Sequence, residues 1–337
     1  MDFGLLIHPT ARFGTLEQMR ATHDLYLRAA TEHKLTIWVN DHFHMGAMPW
    51  LECLTFVAHI TARYPTLTCG TVVLGQGYRN PALTAKIAST LDLLTDGRFI
   101  LGIGAGWKED EYRAYGFPYP SARERVEQLD EALRIIKAMW EPGTTTFEGQ
   151  HYHVAGAINE PKPPKRPLIM IGGGGERRTL RLVAEHADWW NADYYTPEDY
   201  ARKLAVLHGY CDEIGRDPAS IVPTYFGGGN ITRDSERAIH KLPVSLGRPE
   251  YLLSGNPDEV RAKIERLAEV GVRHTILNFL DFPGTESLEL FLSDVLPRFR
   301  RRQAERANRN GRAGDGPTYG RTDARTHRHG ISPAARS

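Results

Sequence analysis

Short apolar runs alternate with longer amphipathic segments along most of the chain, and this alternation limits the folds open to it. Eight runs have the composition of strands, at residues 3–7, 36–39, 67–74, 98–104, 168–171, 188–192, 221–226 and 274–279. Segments with helical periodicity separate them, such as residues 16–33, 122–140 and 257–270. Repeated strand–helix units predict a parallel sheet covered by helices. Because they do not divide into two halves, we expect an α/β fold of the (β/α)8 TIM-barrel type.

Two segments interrupt this alternation, and the end of the chain departs from it. Residues 144–154 alternate β-forming residues around a turn and predict a hairpin inserted after the fourth unit. Residues 227–255 show no period and predict an irregular insertion after strand seven, suited to act as a lid. Residues 304–337 contain seven Arg and three acidic residues, a net charge of +4 that leaves −3 for the rest. We expect one barrel domain over residues 1–303 and a disordered Arg-rich tail over residues 304–337.

Charge and composition argue against several classes of function. The chain has 337 residues and a net charge of +1, so no nucleic-acid or membrane partner is expected, although the tail leaves a nucleic-acid-binding arm as an alternative. The three cysteines are widely spaced, which predicts neither a disulfide framework nor a metal site. No signal peptide and no apolar run of about 18 residues is found, so a cytoplasmic location is expected.

Polar residues follow the second predicted strand, at the end of a barrel strand where catalytic residues lie. Asp41 and His42 are adjacent there, and His44 follows. A carboxylate beside an imidazole can fix its tautomer and raise its basicity, which suits proton transfer. His42 is therefore the candidate proton donor or acceptor, oriented by Asp41, with His44 as the second candidate. A hydrogen-bonded polar pair without a catalytic role is the alternative.

Glycines at the ends of strands three and four are typical of a ligand that lies against bare backbone. Gly75 and Gln76 end strand three, where an ordinary turn before the helix is the alternative. The run Gly104, Ala105, Gly106 and Trp107 ends strand four. Its glycines leave room for an aromatic ring system, which Trp107 could stack on or wall off; simple packing is the alternative for Trp107. The Gly-x-Gly-x-Gly spacing differs from the dinucleotide fingerprint and argues against a Rossmann site.

Four consecutive glycines end strand five, namely Gly172, Gly173, Gly174 and Gly175, and a helix follows them. Backbone N–H groups at a helix N-terminus carry partial positive charge and bind phosphate. We therefore expect an anion-binding loop here, with a flexible turn as the alternative. Arg177 and Arg178 could add charge. The sequence after the glycines does not match a Walker A loop.

Taken in order, these segments resemble the luciferase-like monooxygenase superfamily, and within it the branch that depends on the deazaflavin coenzyme F420. The resemblance covers about residues 1–300. The matching residues are 37–43, 77–82, 90–92, 96–98, 101–107, 109–116, 118, 171–175 and 187–188.

The resemblance implies a homodimer formed by helices near the second and third units. It implies a deazaflavin whose rings lie near Asp41, His42 and the glycine-bared strand ends, with its phosphate and anionic arm held near residues 173–175. It also implies a non-proline cis peptide at the end of strand three, expected here near residues 74–76.

Two residues depart from the sugar-phosphate dehydrogenases of this branch. Gly46 stands where those enzymes have a tryptophan, and Trp107 stands where they have a catalytic glutamate. A sugar-phosphate substrate is therefore not expected, and Glu109 is a candidate for the missing acid.

Together, these features predict an F420-dependent oxidoreductase that transfers a hydride between the deazaflavin and a small organic substrate, such as an alcohol or ketone, an imine or an activated alkene. One alternative is an FMN-dependent two-component monooxygenase, which would need a separate reductase as a partner. The others are a non-catalytic flavin-binding barrel and a barrel enzyme that binds a phosphate ligand without a redox cofactor.

Overall fold

A closed barrel of parallel strands organises the part of the chain that the computed structural model describes, residues 1–10, 15–46, 48–240 and 252–301. The barrel strands are β1 Asp2–Leu6, β2 Thr36–Val39, β3 Cys69–Thr71 with its continuation β4 Leu74–Gly75, β5 Phe99–Gly104, β8 Leu168–Gly172, β9 Trp189–Asp193, β10 Val222–Gly229 and β11 His274–Phe279. Their order around the barrel follows the chain, and pairing of β3 with β5 closes the ring. The predicted (β/α)8 barrel is confirmed.

Helices follow the strands and cover the outside of the barrel. They are α1 Leu16–Glu32, α2 Cys53–Arg63, α3 Pro81–Leu94, α4 Glu109–Ala114, α5 Ala122–Trp140, α6 Thr179–His186, α7 Pro197–Glu213, α8 Ser235–His240, α9 Pro257–Glu269 and α10 Glu286–Leu290. A π-helical turn, Phe291–Val295, follows the last of these. Side-chain caps define several helix starts. Asn80, for example, accepts a hydrogen bond from the N–H of Ala82 at 2.9 Å, with Pro81 as the first helical residue.

Two apolar clusters form the core. The larger cluster lies between the strands and the helices. The smaller one fills the inside of the barrel, with the members Leu6, Trp38, Val72, Ile100, Met170, Trp189 and Ile276. Because side chains occupy the barrel axis, a ligand has no room inside the barrel, and the strand ends are the place where a barrel of this kind binds one.

The insertion after the fourth unit is the predicted hairpin. Its strands, β6 Thr145–Glu148 and β7 His153–Ala157, pair antiparallel. The insertion predicted for residues 227–255 starts later than expected and is not wholly irregular. Strand β10 continues to Gly229 because it pairs with β11 as far as Phe279, and α8 lies within the predicted segment. Residues 241–251 and the predicted tail at 304–337 lie outside the described residues.

The sequence analysis missed helix α4 and misplaced one backbone feature. The non-proline cis peptide joins Val72 and Val73 rather than lying near residues 74–76. Leu74 and Gly75 already pair with Ile103 and Gly104 as regular strand, so the irregular link lies between β3 and β4. Among the described residues, none of the helices is long and apolar enough to cross a bilayer.

Candidate active site

The carboxyl ends of neighbouring strands bring the predicted site residues to one end of the barrel. Gly75 pairs in register with Gly104, and Gly104 lies against the carbonyl oxygen of Gly172. The carboxylate of Asp41 accepts a hydrogen bond from the N–H of Gly75 at 3.0 Å. The ends of four successive barrel strands therefore form one continuous surface at the mouth.

Asp41 does not orient His42, contrary to the expectation from their adjacency. Its side chain is fully buried and forms a two-point ion pair with Arg79, at 2.7 and 2.9 Å. Arg79 also pairs with Glu52, whose carboxylate caps helix α2. Burial acts to lower the pKa of Arg79, but these two carboxylates outweigh it and raise that pKa. Asp41 therefore fixes the ends of β2 and β4, and both of its carboxylate oxygens are bonded to groups other than His42.

The partner of His42 is Glu111, on helix α4. Its Oε2 lies 3.0 Å from Nδ1 of His42, and its side chain has no exposed surface. The same carboxylate accepts bonds from the N–H groups of Phe43 and His44 and from the hydroxyl of Tyr78. Burial acts to raise the pKa of Glu111, but His42 and the other donors outweigh it, so that pKa is lowered. A buried, ionised carboxylate thus holds the imidazole by one nitrogen.

The other nitrogen of His42, Nε2, has no hydrogen-bond partner among the described residues. The imidazole stands edge-on between two indoles, with ring centroids 5.9 Å from Trp50 and 5.9 Å from Trp107. Trp107 is 67% exposed, so it can also contact a ligand over the mouth. With Nδ1–H donated to Glu111, the neutral imidazole presents Nε2 as a base.

His44 and Glu109, the other two candidates for acid–base chemistry, lie elsewhere. The His44 ring stacks beside Tyr115, with centroids 6.4 Å apart. Glu109 forms an exposed ion pair with Arg113 within helix α4. The buried acid of this helix is Glu111, two residues further along the chain.

Gly104 and Gly172 form a bare floor on either side of Val73. A Cβ atom placed on Gly104 would lie 2.9 Å from Cγ2 of Val73, and one on Gly172 would lie 2.9 Å from Cγ1 of the same residue. Side chains at either position would therefore clash, and the floor consists of backbone and one valine. A flat ring system fits such a surface.

The backbone of residues 174–178, at and after the end of the glycine run, offers N–H groups to a ligand. The carbonyl of Gly173 accepts a bond from the Trp190 indole, and that of Gly174 accepts one from Lys203 Nζ at 2.7 Å. Among the described residues, no acceptor is bonded to the backbone N–H groups of residues 174–178, directly before helix α6. These amides fit an anionic group such as a phosphate.

The side chain of Gln76 is hydrogen-bonded within the protein, so it is not free to bind a ligand. Its amide is buried, accepts a bond from the Tyr152 hydroxyl at 2.7 Å and donates one to Gln128 at 3.2 Å. Tyr152 lies in the turn of the inserted hairpin. The carboxylate of Glu131 accepts three backbone N–H bonds from this turn, at residues 150–152. The hairpin is thus tied to the end of the third barrel strand.

A family model described as luciferase-like monooxygenase matches residues 26–252, more than half of the chain. The chain belongs to this family.

Relatives with assigned activities show how far substrates differ among similar proteins. The F420-dependent glucose-6-phosphate dehydrogenase of Microbacterium testaceum (strain StLB037) is 27% identical in an alignment of 325 residues that covers 87% of this chain and 93% of that enzyme. The phthiodiolone/phenolphthiodiolone dimycocerosates ketoreductase of Mycobacterium sp. (strain JLS) is 32% identical in an alignment of 242 residues that covers 64% of this chain and 61% of that relative.

A solved structure agrees with the fold of this luciferase-like protein. An F420-dependent secondary alcohol dehydrogenase in complex with an F420-acetone adduct superimposes with a TM-score of 0.77 at 18% identity, covering 88% of this chain and 98% of that chain. At this level of identity the likeness supports the barrel architecture.

Three residues of the luciferase-like site escaped the sequence analysis: Glu111, Arg79 and Tyr78. Glu111 lies in an acidic, charged stretch that is typical of a solvated surface, and helix α4 that carries it was not predicted. Arg79 lies within residues 77–82, which carry the family resemblance, but no role was predicted for it. Its position directly before Asn80, at the end of a strand that neighbours Asp41, was the available signal.

Proposed function

We propose that this protein is an F420-dependent oxidoreductase that transfers a hydride between the deazaflavin and a small organic substrate. The observation that carries the proposal is the bare backbone floor at Gly104 and Gly172 beside an imidazole whose Nε2 is free. The identity to an F420-dependent dehydrogenase over most of both chains supports the choice of cofactor.

The residues present fit the cofactor. We assign the floor around Val73, with Gly75 and Gly104 to Gly106, to the tricyclic ring. The free N–H groups of residues 174–178 would hold its phosphate, and Trp107 would wall the ring on the open side. Bound there, the deazaflavin supplies or accepts a hydride and carries both electrons at once.

The protein's own part is to position the substrate and to handle one proton. When an alcohol carbon gives up its hydride, Nε2 of His42 accepts the hydroxyl proton, and in the reverse direction it returns that proton to the carbonyl oxygen. Glu111 keeps Nδ1 protonated and stabilises the imidazolium that forms. Asp41 contributes by locking Gly75 and Arg79 in place rather than by touching the imidazole.

Titration with coenzyme F420 and with FMN tests the proposal. We expect F420 to bind at least about tenfold more tightly than FMN, measured by deazaflavin fluorescence, and to be reduced or oxidised by a panel of alcohols and ketones. His42→Ala should retain F420 affinity and lose the pH dependence of turnover. Preferential FMN binding with oxygen consumption would instead establish the two-component monooxygenase. F420 binding without turnover of any panel member would indicate a non-catalytic barrel.

A further inference from the structure

We propose that Asp193 binds a positively charged group of the substrate, on the side of the barrel mouth opposite His42. The inference rests on the proposed function and extends it to the class of substrate: a small carbonyl compound or alcohol that bears an ammonium or similar cation away from its reacting carbon.

The position of Asp193 follows from the barrel. Trp189 belongs to the cluster inside the barrel, and Asn191 donates a hydrogen bond to Thr224, with both side chains buried. Because side chains alternate along a strand, Asp193, the last residue of β9, also points toward the axis. It lies one layer above these residues, at the mouth. Strand β9 is four strands from β2 in either direction around the ring, so Asp193 faces the His42 side.

The carboxylate of Asp193 is accessible, yet protein surrounds it. The residue is exposed, but burial still raises its pKa, with its own backbone N–H acting in the opposite direction. Both observations hold together if the carboxylate faces a recess within the protein rather than the outer surface. Within the described part of the chain, no Lys, Arg or His side chain is paired with it. A carboxylate in such a recess without a counter-ion is suited to a cationic ligand.

Aromatic rings flank this carboxylate. Tyr194 and Phe226 meet edge to face, with centroids 5.8 Å apart, and Phe226 pairs in register with Asp193. Tyr194 has a φ of +52°, which a bulky side chain rarely adopts, and its hydroxyl lies over Gly228. This backbone keeps the Tyr194 ring on the mouth side of β10. A carboxylate next to aromatic faces is the usual surrounding of an ammonium ligand.

A cation on the helix that follows β9 is already paired with an acid. Lys203 of α7 bonds Glu176 and the carbonyl of Gly174. The recess therefore favours the opposite charge from that of a sugar phosphate.

Matched probes test the inference. A methyl ketone that carries a trimethylammonium group and its tert-butyl isostere have nearly the same shape and differ in charge. We would measure the affinity of each for the F420-treated protein by ligand-observed NMR, and kcat/KM for each with reduced F420. We expect the charged ketone to be preferred by about tenfold or more, as a charge-assisted contact allows. Asp193→Asn should abolish this preference, and Asp193→Glu should keep most of it.

Asp212→Asn, an exposed change on helix α7, is the matched control and should leave the preference unchanged. Equal or weaker binding of the charged ketone to the wild-type protein would overturn the inference, as would a preference that survives in Asp193→Asn. F420 binding without a charge preference would refute this inference alone. A charge preference without F420 binding would refute only the proposed cofactor.

Discussion

Nδ1 of His42 lies 3.0 Å from Oε2 of Glu111, a side chain with no exposed surface. The two residues are 69 positions apart in the chain and belong to different βα units. The same carboxylate also anchors the backbone after β2 through the N–H of Phe43 at 2.9 Å. Glu111 therefore sets the position and the tautomer of the imidazole. Asp41, the sequence neighbour of His42, does not perform this task.

Replacing Glu111 by Gln is expected to lower kcat by about a hundredfold, because the imidazole loses both its orientation and the charge that stabilises its protonated form. Steady-state kinetics over a pH series measure this. The pH profile of kcat should change in shape, which a loss of folded protein alone would not produce. Affinity for F420 should change little.

Glu109→Gln is the control for this change, since Glu109 is an exposed acid of the same short helix and pairs with Arg113. Its kcat and pH profile should match those of the wild type. An unchanged profile in Glu111→Gln would show that Glu111 does not act through His42.

A single methyl group added to the floor at Gly172 is expected to weaken F420 binding. Gly172→Ala places its Cβ 2.9 Å from Val73, so the valine must move into the space proposed for the ring. We expect F420 affinity to fall by about tenfold or more, with a stability cost of about 1–3 kcal/mol. Adding Val73→Ala should restore much of the affinity.

Fluorescence titration of the single and double variants measures these effects. Gly209→Ala provides the control, because this helical glycine has nothing within 4 Å of an added Cβ. An unchanged affinity in Gly172→Ala would move the cofactor site away from this floor.

Stability is expected to fall between neutral and mildly acidic pH because of His274 at the base of the barrel. Burial, with a smaller contribution from the charged N-terminus, lowers the pKa of His274 from 6.5 to about 3. Below pH 6.5, His274 binds a proton in the unfolded chain but not in the folded protein. This group therefore costs no stability above that pH, and the free energy of unfolding falls by about 1.4 kcal/mol per pH unit as the pH falls toward 3.

Urea unfolding at several pH values measures this loss. His274→Gln can keep the bond to Thr36, which lies 3.0 Å from the imidazole, and should show a smaller decline in stability. The exposed His59→Gln variant serves as the comparison and should decline like the wild type. Identical slopes for the wild type and His274→Gln would contradict the prediction.

Removing the hydroxyl of Tyr152 is expected to loosen the end of the third barrel strand. Tyr152→Phe leaves the carbonyl of the buried Gln76 amide without this donor, at a cost of about 1–3 kcal/mol of stability. F420 affinity should fall severalfold because Gln76 lies next to Gly75 on the floor. Chemical denaturation and fluorescence titration test both effects. Tyr115→Phe, at an exposed tyrosine, should change neither.

Periodicity predicted most of the fold, because it depends on residues close together in the chain. The strand at 36–39 and the helix at 122–140 are examples. The grouping of Gly75, Gly104 and Gly172 also followed, since parallel strands in a barrel end on the same side.

The partners of the charged side chains could not be read in the same way. Adjacent residues at a strand end point in different directions, so Asp41 and His42 face different neighbours. Asp41 meets Arg79, and His42 meets Glu111, both through pairings between units. Only the packed structure decides which of several nearby acids each cation meets.

The turn of the inserted hairpin reverses the usual rule that loop tips tolerate change best. Three of its N–H groups are held by Glu131, and Tyr152 reaches the floor of the mouth, so this tip is its most constrained part. Length variation is easier to accommodate at the far ends of β6 and β7. A shortened or grafted hairpin would need to keep residues 150–152 in register with α5. Otherwise Gln76 and the adjacent floor would shift together with the hairpin.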